Sequence, residues 1–279
     1  SASDRASLQA EASQLTAEIT RVANQTQFNG TDLLNGAFTN QSFQVGANAN
    51  QTIDITKIAD ARASALGSHT LVSNGTAVAP AAGSVVVDTA AHQATNGNGV
   101  TQETDLTITT DGGTTSAISY LVDSGADAIA TALNSAASGI GITATASNST
   151  TLDGLSAAGT VTFNLNGQAV TADVADQNDL SSLVSSINGV QGTTGVTASF
   201  TSTSSKAGIT LTTTDGRNIA LDTYANTGNA AATAEVGGNA ITAGATNSAI
   251  VTGSVSLAST QGALSVANSN ADVFGATNT

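Results

Sequence analysis

The sequence predicts an α+β protein in which a helix and a hairpin precede a larger β-rich region built from two ββαβ-type repeats. Three observations predict this class: a heptad-spaced helix near the beginning, apolar residues that alternate in many later windows, and an internal repeat offset by 54 residues. The 279 residues include only six Phe, two Tyr and no Trp, so cores must be built from Val, Ile, Leu and Ala. Several small strand-rich domains are therefore expected rather than one large core.

The first element is a helix predicted over Asp4 to Ala23. Its apolar residues are spaced four, three, four and three apart, and they are Leu8, Ala12, Leu15, Ile19 and Val22. This spacing places them in one seam of the helix, as in a coiled-coil-like bundle. Because no later segment repeats the heptad at comparable length, we expect the seam to pack against helices outside this chain.

A β-hairpin is predicted after the helix. Phe43 and Val45 alternate with polar residues, as do Ile53 and Ile55, and a Gly- and Asn-rich turn separates the two pairs. A short helix is expected over 58–66, ended by a glycine.

Two copies of a hairpin, helix and strand follow. Hairpin turns are predicted at 111–113 and 166–167, helices at 129–133 and 183–187, and strands that begin at 141 and 195. The offset aligns Ile129 with Leu183, Leu133 with Ile187, Asn134 with Asn188, and Gly141 with Gly195. The second copy is expected to close with a further hairpin around 215–216, and a polar, Gly-rich connector is expected over 226–247.

Charge is unevenly divided along the chain. The net charge is −14, of which −12 lies beyond Arg62. An acidic surface of this kind disfavours nucleic acid, which needs clusters of Lys and Arg. The chain has no Cys, and no apolar run approaches the ~20 residues that span a membrane, so membrane insertion is not expected.

Catalytic and metal-binding patterns are sparse. The two histidines, His69 and His92, have no carboxylates at metal-ligand spacing, and no nucleophile elbow occurs, so we do not expect an enzyme. Aspartates that precede the repeat helices are interpreted as helix N-terminal and turn residues, and they are Asp123, Asp127, Asp173, Asp176 and Asp179. No cofactor is expected. The alternative interpretation of these aspartates is a Ca²⁺ site built from oxygen ligands, and Asn268, Asn270 and Asp272 show a weaker pattern of the same kind.

Five short motifs follow one another in the first quarter of the chain. They are Ser-Asp-Arg-Ala-Ser-Leu-Gln-Ala-Glu at 3–11, Ile-Thr-Arg-Val-Ala-Asn at 19–24, Thr-Gln-Phe-Asn-Gly at 26–30, Leu-Leu-Asn-Gly at 33–36 and Phe-Gln-Val-Gly-Ala-Asn at 43–48. In these motifs and their order, the chain resembles bacterial flagellin. In that family these segments are similar to the second helix and the hairpin of the inner filament domain. The resemblance therefore implies a structural protein of the extracellular flagellar filament, which serves motility. Each subunit of such a filament would pack against other flagellin subunits.

The resemblance also implies a division of the chain into domains. Residues 1–67 would be the first part of the inner domain, 68–104 a connector with strands, 105–158 and 159–225 the two outer-domain repeats, and 226–279 a return segment toward the inner domain. The terminal assembly helices of the family are not matched, so we expect a middle fragment that is monomeric and does not polymerise by itself. The alternative interpretation is a flagellin-like cell-surface receptor or adhesin that binds polysaccharide.

Overall fold

The computed structural model describes residues 2–28, 30–44, 52–58, 61–63, 69–79, 84–89, 97–110, 112–261 and 263–275. The chain divides into two compact units, residues 1–68 and 69–279, and each is described by itself. It is rich in strands with a few helices, which agrees with the predicted α+β class.

In its described residues, the first unit contains one long helix and two small strand pairs. Its elements are α1 (Ala2–Gln25), β1 (Gln27–Phe28), β2 (Thr31–Asp32), β3 (Thr39–Gln44) and β4 (Thr52–Lys57). The helix lies where the heptad predicts it, with two more residues at each end. Strands β3 and β4 are antiparallel, with Phe43 opposite Ile53 and Gln41 opposite Ile55. Val45 and the predicted turn lie outside the described residues.

The helix predicted over 58–66 is wrong for the residues that the structure describes there. Ile58 and residues 61–63 are not helical. The backbone N–H of Ile58 donates to Phe38 O at 3.2 Å, and that of Ala61 donates to Leu34 O at 2.8 Å. These bonds hold the segment against an earlier one in a non-helical conformation, so tertiary contacts override the local preference.

The second unit contains sixteen strands and three helices among its described residues. The strands are β5 (His69–Val72), β6 (Ser84–Asp88), β7 (Glu103–Thr110), β8 (Gly113–Thr114), β9 (Ile118–Tyr120), β10 (Ile142–Asp153), β11 (Gly159–Leu165), β12 (Gln168–Val174), β13 (Thr197–Phe200), β14 (Ile209–Thr213), β15 (Ile219–Asn226), β16 (Thr233–Val236), β17 (Asn239–Thr242), β18 (Ser248–Thr252), β19 (Ser254–Ser259) and β20 (Ser265–Ala267). The helices are α2 (Ala126–Ala136), α3 (Ser181–Gly189) and α4 (Gln191–Thr194). Strand β6 lies within 68–104, where the sequence analysis expects strands.

Three sheets organise this unit. One runs β13-β14-β10-β16-β17, with β19 paired to β10 and β5 paired to β19. The second runs β12-β11-β15-β18-β6, and the third runs β20-β7-β8 with β9 paired to β7. The ladders between these strands are antiparallel, as expected for hairpins joined by short turns.

Two apolar cores lie within the second unit, one under each of the longer helices. Helix α2 packs its buried Ile129 and Leu133 against β9, β10 and β19. Helix α3 packs Leu183 and Ile187 against β12 and β13. Strand β10 connects the two cores: its first half pairs with β19, and its second half pairs with β14.

Two further sequence predictions are wrong. No hairpin forms at 215–216, because β14 pairs with β13 and β10 whereas β15 pairs with β11 and β18. Residues 226–247 are not a simple connector, because β16 and β17 form a hairpin there whose Val236 and Ile241 are fully buried. In both regions, pairing with strands that are distant in sequence determines the structure. The local pattern of apolar and polar residues carries no information about those partners.

Candidate functional site

The candidate site of this chain is the apolar seam of α1. Its larger side chains, Leu8, Leu15, Ile19 and Val22, are between 45 and 66% exposed, and Ala12 is exposed as well. Only the neighbouring Ala23 is buried among the described side chains of the helix. The seam that the heptad predicts is therefore a free surface in this chain. Covering a Leu, Ile or Val side chain contributes about 1.5–3 kcal/mol, so this surface favours a packing partner.

The second half of the seam forms one wall of a groove of about 390 Å³. Ile19, Val22 and Ala23 line it from the helix, and Leu34 and Ala61 line it from the segments that follow. Thr20 Oγ1 accepts a weak hydrogen bond from the backbone N–H of Ala63 at 3.4 Å. Leu34 and Ala61 could not be predicted as part of this surface from the heptad spacing. They lie outside the helix, in irregular segments whose apolar residues have no regular spacing.

One ion pair borders the groove. The guanidinium of Arg21 donates to both carboxylate oxygens of Glu18, and Arg21 Nη1 also donates to Gln25 Oε1. The hydrogen bonds from Arg21 lower the pKa of Glu18, and its positive charge acts in the same direction. Because both side chains are exposed, this pair orders the polar rim rather than stabilising the helix strongly.

The remaining predicted residues do not converge on this surface. In the hairpin, the backbone pairs Phe43 with Ile53. His69 is exposed at the start of β5, and His92 lies outside the described residues.

The aspartates before α3 make local hydrogen bonds. Asp179 Oδ1 accepts from the hydroxyl of Ser181 and, at 3.0 Å, from its backbone N–H. These bonds lower the pKa of Asp179, and Lys206 adds to the effect. Asp176 Oδ1 accepts from the backbone N–H of Asn178 at 2.9 Å. The part of the chain that the structure describes contains no group of three or more His, Cys, Asp or Glu side chains placed to hold a metal.

None of the described helices is long and apolar enough to cross a membrane. The long helix α1 instead carries an exposed seam between polar faces. An exposed heptad seam on an amphipathic helix favours packing against partner helices.

Two parts of the chain match models of known protein families. Residues 1–39, which contain α1, match the family described as "Bacterial flagellin N-terminal helical region". Residues 160–215, which contain β12, α3 and β13, match the family described as "Flagellin hook IN motif". The predicted resemblance to bacterial flagellin is confirmed.

Individual relatives lead to the same family. The chain is 52% identical to the B-type flagellin of Pseudomonas aeruginosa over 65 residues, which is 23% of this chain and 13% of that protein. It is 53% identical to a flagellin of Xenorhabdus nematophila over 55 residues, which is 20% of this chain and 18% of that protein. It is 45% identical to flagellin B of Vibrio anguillarum over 53 residues, 19% of this chain and 14% of that protein. The matched segments thus span less than a fifth of these relatives.

Proposed function

We propose that this chain is the middle part of a structural subunit of a bacterial flagellar filament. The observation that carries the proposal is the exposed seam of α1, which lies within the residues that match the flagellin N-terminal helical region. The seam is the face on which helices of the complete subunit and of neighbouring subunits would pack. The function requires no reaction, so the chain is not an enzyme.

The proposal assigns a role to each region of the chain. Residues 1–67 supply part of the inner packing domain, and 68–104 lead from it. Residues 105–158 and 159–225 form the exposed outer domain, and 226–279 return the chain toward the inner domain. The strong negative charge beyond Arg62 supports this division, because a solvent-facing filament surface benefits from like charges that keep it soluble.

The proposed outer domain consists of two related ββαβ units. The first comprises β7, β9, α2 and the first half of β10, and the second comprises β11, β12, α3 and β13. In each unit, a helix with two buried aliphatic residues at i and i+4 packs on the strand that follows it. The match of 160–215 to a flagellin motif supports an outer-domain role for the second unit.

The proposal places the protein outside the cell, on the flagellar filament. Its partners are other flagellin subunits, and the isolated chain is expected to remain monomeric. The alternative function, a polysaccharide-binding surface receptor, gains no support from contacts of the described residues, and the relatives found are flagellins.

Immunogold electron microscopy of the source cells tests this proposal. Antibodies raised against residues 106–221 are expected to place gold along extended filaments. Antibodies first absorbed with the purified chain provide the control and are expected to leave the filaments unlabelled. Gold confined to the cell body would overturn the filament assignment.

A further inference from the structure

A buried acidic cluster lies in the second unit, away from the helix seam. Glu103 on β7 and Tyr120 on β9 are directly opposite each other in an antiparallel register. They are only 2 and 6% exposed. Glu103 accepts hydrogen bonds from the backbone N–H groups of Thr104 and Asp105 on one oxygen, at 2.9 and 3.3 Å. The hydroxyl of Tyr120 is buried without a hydrogen-bond partner.

A second buried carboxylate comes from the segment that follows β20. Asp272 is 7% exposed, and its Oδ2 accepts from the hydroxyl of Thr101 at 2.8 Å and from the Thr101 backbone N–H. Its Oδ1 is buried without a partner. The same segment reaches Glu103, because the backbone N–H of Asn270 donates to Glu103 Oε2 at 2.9 Å. Both carboxylates are therefore held beside the beginning of β7.

No described basic side chain of the second unit is paired with this cluster. Beyond Arg62 the sequence contains only two Lys or Arg residues, Lys206 and Arg217. They form ion pairs elsewhere, Lys206 with Asp179 and Arg217 with Asp215. Hydrogen bonds satisfy both oxygens of Glu103 and Oδ2 of Asp272, whereas Asp272 Oδ1 and the Tyr120 hydroxyl are buried without a partner. A buried polar atom without a partner costs free energy, so these two atoms favour a further ligand.

Geometry brings the three side chains to one region of the unit. Tyr120 lies opposite Glu103 across the β7–β9 pair, and the segment that carries Asp272 is bonded to Glu103 through Asn270. The phenol offers an oxygen lone pair as well as a donor. The cluster presents oxygen atoms only, from two carboxyl groups and one phenol.

We propose that Glu103, Asp272 and Tyr120 form a site for one hard divalent cation of the Ca²⁺ class. Oxygen ligands from carboxylates, hydroxyls and backbone carbonyls are the set that Ca²⁺ prefers, and two carboxylates neutralise its charge. The unpartnered Oδ1 of Asp272 and the unpartnered hydroxyl of Tyr120 supply ligand atoms that the protein leaves unused. This site differs from Asp176 and Asp179 before α3, whose carboxylates accept local hydrogen bonds from residues two positions further on.

The bound cation would fasten the segment at 270–275 to the β7–β9 pair. That segment already contacts the beginning of the unit, since Asp272 O accepts from the backbone N–H groups of Ala77 and Val78 at 2.9 and 2.8 Å. A ligand that binds only the folded state stabilises it, and the stabilisation grows with the logarithm of the ligand concentration once that concentration exceeds Kd. Added Ca²⁺ is therefore expected to raise the melting temperature of the chain, and a chelator is expected to lower it.

Tb³⁺, a luminescent substitute for Ca²⁺, tests the site directly. The chain has no Trp and two Tyr, Tyr120 and Tyr224, so excitation of tyrosine reports which residue lies beside the ion. We expect sensitised Tb³⁺ emission from the intact 279-residue chain, and we expect excess Ca²⁺ to displace it. The emission should be lost in Tyr120→Phe and kept in the matched variant Tyr224→Phe. Emission that persists in Tyr120→Phe would overturn the proposal.

Calorimetric titration with Ca²⁺ supplies an independent measurement that needs no tyrosine. Asp272→Asn is expected to weaken Ca²⁺ affinity about tenfold or more, because it removes one of the two charged ligands. Asp173→Asn, at an exposed position, removes the same charge and should leave the affinity unchanged. Absence of both Ca²⁺ binding and Ca²⁺-displaceable Tb³⁺ emission in the unmodified chain would overturn the proposal and assign the unpartnered atoms to an internal water.

Discussion

The side-chain amide of Asn188 forms two hydrogen bonds with the backbone of Ala198. Asn188 Oδ1 accepts from Ala198 N at 2.8 Å, and its Nδ2 donates to Ala198 O at 2.9 Å. Asn134 makes the same two bonds with Ala144, at 2.7 and 2.8 Å. Each Asn lies near the end of a helix and satisfies backbone groups of the strand that follows. The identical arrangement, 54 residues apart, supports the proposal that the two ββαβ units are related.

Asn188→Ala is expected to destabilise the second unit by about 2–3 kcal/mol, because two backbone groups of Ala198 lose their partners together. Asn134→Ala should cost a similar amount, since it removes the equivalent pair. Urea unfolding followed by circular dichroism measures both. Asn239→Ala, which loses one exposed bond to Gly237 O, is the control and should change stability by less than about 0.5 kcal/mol. A large effect at Asn188 with none at Asn134 would contradict the equivalence of the two units.

The helix and hairpin of the second copy could be predicted from the sequence because their signals are local. Helix α3 lies where Leu183 and Ile187 predict it, and the hairpin of β11 and β12 turns at 166–167 as expected. In that hairpin Phe163 lies opposite Val170, so the period-two pattern also sets the register. Apolar spacing and turn residues depend on near neighbours, which is why these elements could be predicted.

Leu15→Gln is expected to change the stability of this chain by less than about 0.5 kcal/mol, because Leu15 is largely exposed here. In the complete subunit, the same substitution should reduce incorporation into filaments, since the seam would then be covered by partner helices. Ala17→Gln places the same residue on the opposite, exposed side of α1 and serves as the control. Sedimentation of filaments grown from each variant measures incorporation. Equal incorporation of the two variants would argue against the seam as a packing face.

Pairings between distant segments could not be predicted from the sequence. Strand β16 pairs with the far end of β10, so Leu152 lies opposite Val236 across more than eighty residues of chain. The sequence around β16 and β17 gives little sign of this pairing with β10, because it consists of a few small apolar residues surrounded by Gly and Asn. The buried Glu103 and Asp272 were missed as a pair for the same reason. Their proximity arises from the fold and leaves no spacing signal.

Alkaline pH is expected to destabilise the folded chain. Burial raises the pKa of both Tyr120 and Tyr224 above the ordinary value of 10.0. Above about pH 10 the unfolded chain therefore releases phenolic protons that the native chain retains, and the free energy of unfolding falls as pH rises. Below about pH 10 both states keep these protons, so the contribution is fully present there.

Urea unfolding between about pH 9 and about pH 12 measures this dependence, with tyrosinate absorbance recorded in parallel. Tyr120→Phe removes one of the two phenols and should flatten the decline relative to the unmodified chain. This difference separates the tyrosine contribution from that of lysine residues, which titrate in the same range and are unchanged in the variant. Parallel declines in the two proteins would show that Tyr120 does not couple folding to pH.

Gly253→Ala is expected to destabilise the second unit by about 1–3 kcal/mol. Gly253 alone separates β18 from β19, and these strands belong to different sheets. A Cβ at this position would lie 2.5 Å from Ser147 O and 2.8 Å from Gly216 O, which are backbone atoms that cannot rotate away. The backbone must shift to accept the methyl group, and the shift would disturb the pairing of β10 with β19, in which Ser147 lies opposite Ser254.

Gly192→Ala is the matched control for this substitution. Gly192 lies in α4, and no atom outside its immediate neighbours lies within 4 Å of a Cβ built there. Alanine restricts the unfolded chain and favours helix, so this variant should be neutral or more stable by about 0.4–1 kcal/mol. Thermal unfolding of both variants measures the contrast, with a lower melting temperature expected only for Gly253→Ala. Equal melting temperatures would mean that the backbone at 253 can relax, and that the change of sheet between β18 and β19 does not depend on a glycine.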